Sequence, residues 1–251
     1  MSDDFGGKVA LVTGGSRGIG RAIAATLAAG KATVVVNYAG NDAAAAEAQA
    51  LCERAGAARV VLRKFDIADP AACQEAVERI VGELGGLHVL VNNAGIARRA
   101  SGASMSEALD GPSVLEVFDT NAVGIVRVTE AALPLLQQSD NPVVVNVSSA
   151  LGSFWATHEP SRPASRFVAI AYGASKAAVS MLTVQYARAC PRIKVNAVEP
   201  GITATELGGG DPGSHPGRPA ALSARVVARL ALIGADGPTG TFQEDDGELG
   251  W

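Results

Sequence analysis

Short β-branched runs alternate with longer, alanine-rich segments along most of this 251-residue chain, and that rhythm excludes most architectures. Lys8 to Val12 is followed by Ile19 to Ala29, Thr33 to Asn37 by Ala43 to Ala55, and Arg59 to Lys64 by Pro70 to Leu84. The pattern continues through His88 to Val91, a helical stretch from Pro112 to Gln137, Val143 to Val147, Ile170 to Cys190 and Ile193 to Val198. Strands buried on both faces read as continuous apolar runs, so the expectation is an α/β fold with a doubly wound parallel sheet. About seven strands, with helices on both faces, would form a single domain over residues 1–251. One segment breaks the rhythm: Gly208 to Pro219 holds five glycines and three prolines in twelve residues, and is expected to be a substrate-side loop.

Composition narrows the function classes. With 21 Lys and Arg against 25 Asp and Glu the formal net charge is -4, and no stretch gathers the cations that nucleic acid requires. The longest apolar runs are strand-sized, far below a membrane span of roughly 18 residues. The acidic start Met1-Ser2-Asp3-Asp4 is unlike a signal peptide, which makes the expected location cytoplasmic. Cys52, Cys73 and Cys190 lack metal-ligand spacing, and His88, His158 and His215 are scattered, so no metal site is expected.

The chemistry-bearing turn follows the first strand. Thr13-Gly14-Gly15-Ser16-Arg17-Gly18-Ile19-Gly20 leads straight into a helix, where glycines let backbone amides and the positive helix end approach a pyrophosphate. The glycines fall at 14, 18 and 20 rather than in the Gly-x-Gly-x-x-Gly spacing of many dehydrogenases. Tyr172 and Lys176 stand four apart on a predicted helix, so both face one side, and a nearby ammonium is expected to lower the phenol's proton affinity and make it a general acid. Ser149 and Ser148 compete at the end of Val143 to Val147, where a hydroxyl could stabilise a developing oxyanion. Strand alternation sends the two to opposite faces. No Gly-x-Ser-x-Gly elbow accompanies either, which argues against a hydrolase triad. Asn121, within an apolar helical region, reads by itself as a kink or capping residue.

These features, in this order, resemble the short-chain dehydrogenase/reductase family, in its compact Tyr-x-x-x-Lys form. The resemblance covers nearly the whole chain: Thr13 and the glycine turn, Asp66 after the third strand, Asn92-Asn93-Ala94-Gly95, Asn121, Ser149, Tyr172-Gly173-Ala174-Ser175-Lys176, and Pro200-Gly201-Ile202-Thr203-Ala204-Thr205. It departs at His88, where relatives more often carry Asp, and in a longer stretch between Ser149 and Tyr172. The resemblance implies a Rossmann-type fold and a carbonyl-reductase-like oxidoreductase. Hydride would pass between a nicotinamide and a ketone or aldehyde, with Ser149 holding the oxygen, Tyr172 giving the proton, Lys176 assisting and Asn121 holding a relay water. It implies cofactor contacts from Gly14, Ser16, Arg17, Gly18, Ile19, Gly20, Asn37, Tyr38, Ala39, Asp66, Ile67, Asn93, Ala94, Gly95, Tyr172, Lys176, Pro200, Gly201, Thr203 and Thr205. An imine reductase, or an NADP-binding regulator without catalysis, would share much of this pattern.

Cofactor choice turns on the second strand's end. An NAD enzyme of this fold places a carboxylate there to bond the ribose, whereas this strand ends Asn37-Tyr38-Ala39 and no acid appears before Asp42. Arg17 in the glycine turn can pair with a 2′-phosphate, so NADP(H) is expected. On the substrate side, Phe154 and Trp155 cluster in a chain with only 4% aromatics, either as a pocket wall or tucked into the core. Leu151 and Leu207 complete the expected substrate-binding set with Ser149 and Tyr172. Family resemblance implies a homotetramer, or a dimer, paired through the helix carrying Ala174, Ala177, Ala178, Met181 and Leu182.

Overall fold

A computed structural model of the chain describes residues 4–97, 110–208 and 217–251. Eight strands form one sheet: β1 Val9–Val12, β2 Thr33–Tyr38, β3 Arg59–Lys64, β4 Val89–Asn92, β5 Val143–Val147, β6 Lys194–Val198, β7 Phe242–Glu244 and β8 Gly247–Glu248. Their order is β3-β2-β1-β4-β5-β6-β7-β8, parallel throughout except for β8, which runs antiparallel to β7. The sequence expectation of about seven parallel strands is thus extended by one. The extra strand arises because Asp245-Asp246 reverses the chain and pairs Glu244 with Gly247.

The helices are α1 Gly18–Ala29, α2 Asp42–Ala55, α3 Pro70–Leu84, α4 Gly111–Phe118, α5 Gly124–Leu136, the five-residue α6 Phe154–His158, α7 Ile170–Ala189 and α8 Ala220–Ala231. Strand alternation explains the two-faced core. Val34, Val36, Val89, Val91, Val143 and Val145 point to the side where Ile23 and Leu27 of α1 and Leu230 of α8 pack. Leu11, Val35, Leu90, Val144 and Val195 point to the other, against Ile80 of α3, Val128 and Leu136 of α5 and Ala187 of α7. A strand with apolar residues on both faces fits only a sheet covered twice.

Local signals set the helix ends. Asn41 caps α2 through Ala44 N at 2.9 Å, and Asp69 caps α3 through Ala71 N at 2.9 Å with Pro70 in its first turn. The single helical stretch expected from Pro112 to Gln137 is instead α4, a π-helical turn at Asp119–Val123, and α5. The far end of the Gly208 to Pro219 segment is not wholly irregular, since Arg218 makes a parallel bridge to Thr203. Residues 209–216, most of that expected substrate-side loop, lie outside the described residues. No helix among the described residues is long and apolar enough to cross a membrane.

Candidate active site

The strand order reverses between β1 and β4, and at the carboxyl ends of these strands the glycine turn meets Asn92 to Gly95. Open α/β sheets bind ligands in this crevice. Thr13 ties the two loops: its hydroxyl accepts from Asn93 N at 2.9 Å and Ala94 N at 3.0 Å while donating to the Val91 carbonyl. Asn93 Nδ2 returns a bond to the Thr13 carbonyl at 2.9 Å. Asn37 is buried, with Oδ1 accepting from Gly14 N at 3.0 Å and Nδ2 donating to the Phe65 carbonyl at 2.9 Å. The side chains of Asn37 and Asn93, expected from sequence as cofactor contacts, therefore brace the turn from behind.

A nicotinamide dinucleotide fits this cradle. Gly14 sits at φ 61°, and a Cβ there would lie 2.9 Å from Ala94 Cα. At Gly20 a Cβ would run into the Gly14 carbonyl. Such crowding leaves the backbone bare where a pyrophosphate would approach. Helix α1 has no side-chain cap and no acidic residue in its first turn, so its N–H groups and positive end stay open to an anion. Ser16, Arg17, Gly18 and Ile19 complete the turn, with Thr205 packed beside Gly18 and Glu206 bonded to Arg17 Nη1 at 2.8 Å.

The ribose end holds a finding that the sequence did not disclose. Tyr38 of β2 pairs in register with Lys64 of β3, and Asp42 at the start of α2 joins them. Tyr38 donates its hydroxyl proton to Asp42 Oδ1 at 3.0 Å, and Lys64 Nζ reaches both Asp42 oxygens at 3.0 Å. A carboxylate is thus present beside Tyr38 after all, but neutralised by a lysine. The Lys64 hydrogen bond holds the Asp42 carboxyl below its usual range, and that bond likewise raises the lysine. Ala39 and Asp66 are exposed nearby, whereas Ile67 is buried against Gly124.

The catalytic candidates converge from β5, the π-helical turn and α7. Ser148 is buried and donates to the Lys176 carbonyl at 3.1 Å, which removes it from contention. Ser149, on the opposite face, accepts from Leu151 N at 3.3 Å, and its hydroxyl acts on the Tyr172 phenol to lower that group's proton affinity. Lys176 is only 3% exposed; its Nζ donates to the Val147 carbonyl at 2.7 Å and stands 5.6 Å from the Tyr172 ring centre. Loss of water pushes the Lys176 ammonium down to about 8, with Glu199 acting in the opposite sense. Burial pushes the phenol up, Glu199 adds to the rise, and the Ser149 hydroxyl lowers it. The Lys176 ammonium, expected from sequence to lower the phenol, donates to the Val147 carbonyl beside the Tyr172 ring, while burial takes Tyr172 upward overall.

Asn121, fully buried in the π-helical turn, receives Ile96 N at 2.8 Å on Oδ1 and donates Nδ2 to the Ile96 carbonyl at 2.9 Å and to Ser175 Oγ at 3.0 Å. Its side chain anchors the loop after β4 to α7.

On the substrate side, Phe154 is 74% and Trp155 47% exposed, so the core reading of this pair is excluded. Trp155 N donates to the Trp251 carbonyl at 3.0 Å, which brings the chain end to this segment. Leu151 packs partly into a small cluster with Ala156 and Phe242, and Leu207 is exposed after Thr205. Pro200 is buried, Gly201 turns the chain, and Thr203 Oγ1 donates to the Gly201 carbonyl at 2.8 Å. Sequence reasoning passed over Glu199, Lys64, Glu206 and the Arg162–Glu244 ion pair. The sole available signal was Glu199 as a lone carboxylate between Ile193 and Thr205. Among the described residues, no cluster of three His, Cys, Asp or Glu could hold a metal.

Known proteins resemble this chain in sequence and in fold. A family model described as short chain dehydrogenase matches residues 8–211. Acetoacetyl-CoA reductase of Paracoccus denitrificans is 38% identical over 202 residues, covering 80% of this chain and 75% of that protein. A short chain dehydrogenase from Burkholderia cenocepacia, solved in complex with NADP, superposes with a TM-score of 0.80 at 33% identity over 95% of this chain and 96% of that one. A short chain dehydrogenase from Mycobacterium paratuberculosis, bound to NAD, gives a TM-score of 0.81 at 26% identity over 96% and 97% of the two chains.

Proposed function

The chain belongs to the short-chain dehydrogenase family, and from that premise we propose that it reduces ketones or aldehydes to alcohols with NADPH, Tyr172 giving the proton. The observation that carries this reading is the placing of a buried Lys176 Nζ 5.6 Å from the ring centre of Tyr172, whose phenol is held by burial above its ordinary proton affinity, with Ser149 at the adjoining end of β5. A phenol so held is protonated throughout the physiological range, as a donor in the reductive direction must be. When bound, the cofactor supplies hydride from its nicotinamide C4 to the carbonyl carbon. Ser149 and Tyr172 hydrogen-bond the carbonyl oxygen, and the phenol proton moves to that oxygen as negative charge develops on it. Lys176 contributes a positive charge from a site nearly closed to water, and Asn121 fixes the loop that carries Gly95 beside it.

NADPH is favoured over NADH by a strand end where Tyr38 replaces the ribose-binding carboxylate and Lys64 neutralises Asp42, and by Arg17 in the glycine turn, whose exposed pairing with Glu206 a 2′-phosphate would have to replace. The NADP-bound relative supports this choice and the NAD-bound one does not decide against it. A 3-ketoacyl thioester is the substrate class favoured by the acetoacetyl-CoA reductase likeness. Phe154, Trp155, Leu151 and Leu207 are the proposed apolar contacts for its acyl part. The subunit contact is proposed on α7 and the π-helical turn, where Met181 is 59% and Val123 41% exposed beside Ala122, Ala178 and Leu182. All of residues 1–251 serve this site as one domain.

The test is a panel of 3-ketoacyl thioesters, simple ketones, aldehydes and cyclic imines, with oxidation of NADPH and of NADH followed at neutral pH. Turnover of ketones with NADPH at the higher kcat/KM is expected. Turnover of imines alone, or tight NADPH binding with no oxidation on any substrate, would remove the reading.

A further inference from the structure

Glu199 is the carboxylate that the scheme above does not use, and its contacts are unusual. It follows the last residue of β6, where the chain leaves the sheet toward Pro200-Gly201. Its Oε2 accepts from the backbone N–H of Ala150, the residue after Ser149, and its Oε1 accepts from Gly201 N at 2.9 Å. One side chain therefore holds two turns: the one that aims the serine hydroxyl and the one beside the proposed nicotinamide contacts. Two N–H donors on a carboxylate favour its charged form, and removing either would leave an unpaired group in a site poor in water.

The charges facing Glu199 come from several elements. Helix α7 brings Lys176 and Tyr172, the segment after α6 brings Arg162, and β7 brings Glu244. Arg162 is itself held by Glu244, with Nη1 on Oε1 at 3.0 Å. Arg218 stands behind, its Nε donating to the Pro200 carbonyl at 3.0 Å. Lys176 and Tyr172 have no carboxylate of their own on α7, since its sequence from Ile170 to Ala189 contains none. Glu199 fills that place from the neighbouring strand, and its charge raises both groups. Burial raises the Glu199 carboxyl above its ordinary range and Glu244 adds to the rise, while the two backbone bonds and Arg162 act in the opposite sense and favour the charged form.

We infer that Glu199 is a positioning residue for the reduction, clamping the Ser149–Ala150 turn to the Pro200–Gly201 turn and serving as the counter-charge that keeps Lys176 charged. The inference rests on the reductase reading, and the experiment separates the two. Wild-type kcat for the best ketone is measured from pH 6 to about 10, a range bracketing the ordinary tyrosine and lysine values. Absence of any turnover is a failure of the reductase reading, not of this one. With turnover present, kcat should fall on the alkaline side as Lys176 loses its proton.

Glu199→Gln keeps the size but removes the charge, and should move that alkaline limb down by about half a pH unit or more, as loss of a facing opposite charge does. Glu199→Asp keeps the charge on a shorter arm, and should restore the limb's position while kcat stays low because the clamp is slack. Arg162→Met removes a cation that favours the Glu199 carboxylate and should move the limb downward, as Glu199→Gln does, while leaving both backbone bonds of the clamp in place. If Glu199→Gln does not fold, as judged by circular dichroism, Arg162→Met and Glu199→Asp carry the test. A limb unmoved in the folded variants, or one displaced equally in Glu199→Gln and Glu199→Asp, would overturn the inference and leave Glu199 as a structural tie alone.

Discussion

At the scale of single residues, the site works through a few side chains whose surroundings differ more than their chemistry. Tyr172 and Tyr186 share α7, yet Tyr172 meets Ser149, whereas Tyr186 donates to Glu130 Oε1 at 2.8 Å on the helix flank. Tyr172→Phe removes the proton and keeps the ring, so kcat should fall by about two to four orders of magnitude while the NADPH Kd, read by fluorescence titration, stays close to wild type. Lys176→Met should harm both, because the ammonium is proposed to serve phenol and cofactor alike. At the ribose end, Lys64→Met removes one of two cations and should weaken NADPH binding by about tenfold while leaving NADH binding nearly unchanged. Tyr38→Asp should go further and move the kcat/KM preference toward NADH by charge repulsion. Equal loss for both cofactors in Lys64→Met would show that Lys64 supports only Asp42.

At the scale of elements, the strands and the long helices were legible because their signals are local. Val143 to Val147 is an unbroken apolar run, and only burial on two faces explains it. The turn at Asp119–Val123 was not legible, since a widened helical turn has no residue signature comparable to a proline or a glycine. Nor was the clamp at Glu199: its partners Ala150 and Gly201 belong to different loops, and only the β5–β6 pairing brings them together. Lys64 escaped notice for the same reason, since its role depends on register with Tyr38 across β2 and β3. His88, just before β4, adds an element-scale prediction. Its Nδ1 accepts from Val9 N at 3.0 Å and so joins β1 to β4, which requires the neutral ring. Burial, with help from Lys8, lowers its proton affinity below the ordinary 6.5. The unfolded chain therefore takes up this proton more readily, and the stability His88 contributes, complete above pH 6.5, is lost as pH falls from there through the lowered folded value. His88→Asn offers an acceptor that does not titrate in this range. Its melting temperature should drop less than wild type's between pH 7 and pH 5; a parallel drop would place the acid sensitivity elsewhere.

At the scale of the whole molecule, one sheet places the anion cradle, the serine turn and the tyrosine helix at the carboxyl ends of β1, β4, β5 and β6. The flank of α7 that faces away from the sheet is a different surface, apolar and exposed at Met181. Light scattering at micromolar concentration should give a tetramer or dimer, and Met181→Asp should shift it toward smaller species. A wild-type monomer would contradict the proposed contact. Hydride is proposed to pass from nicotinamide to a carbonyl carbon while Tyr172 supplies the oxygen's proton. This step is tested most directly by reducing the best ketone with NADPH deuterated at the transferable C4 position, in ordinary water, and locating the label by mass spectrometry. One deuterium on the carbinol carbon, with formation of that alcohol abolished or slowed at least about a hundredfold in Tyr172→Phe, is the expected result. Unlabelled alcohol, or a labelled alcohol formed at wild-type rate by Tyr172→Phe, would contradict it.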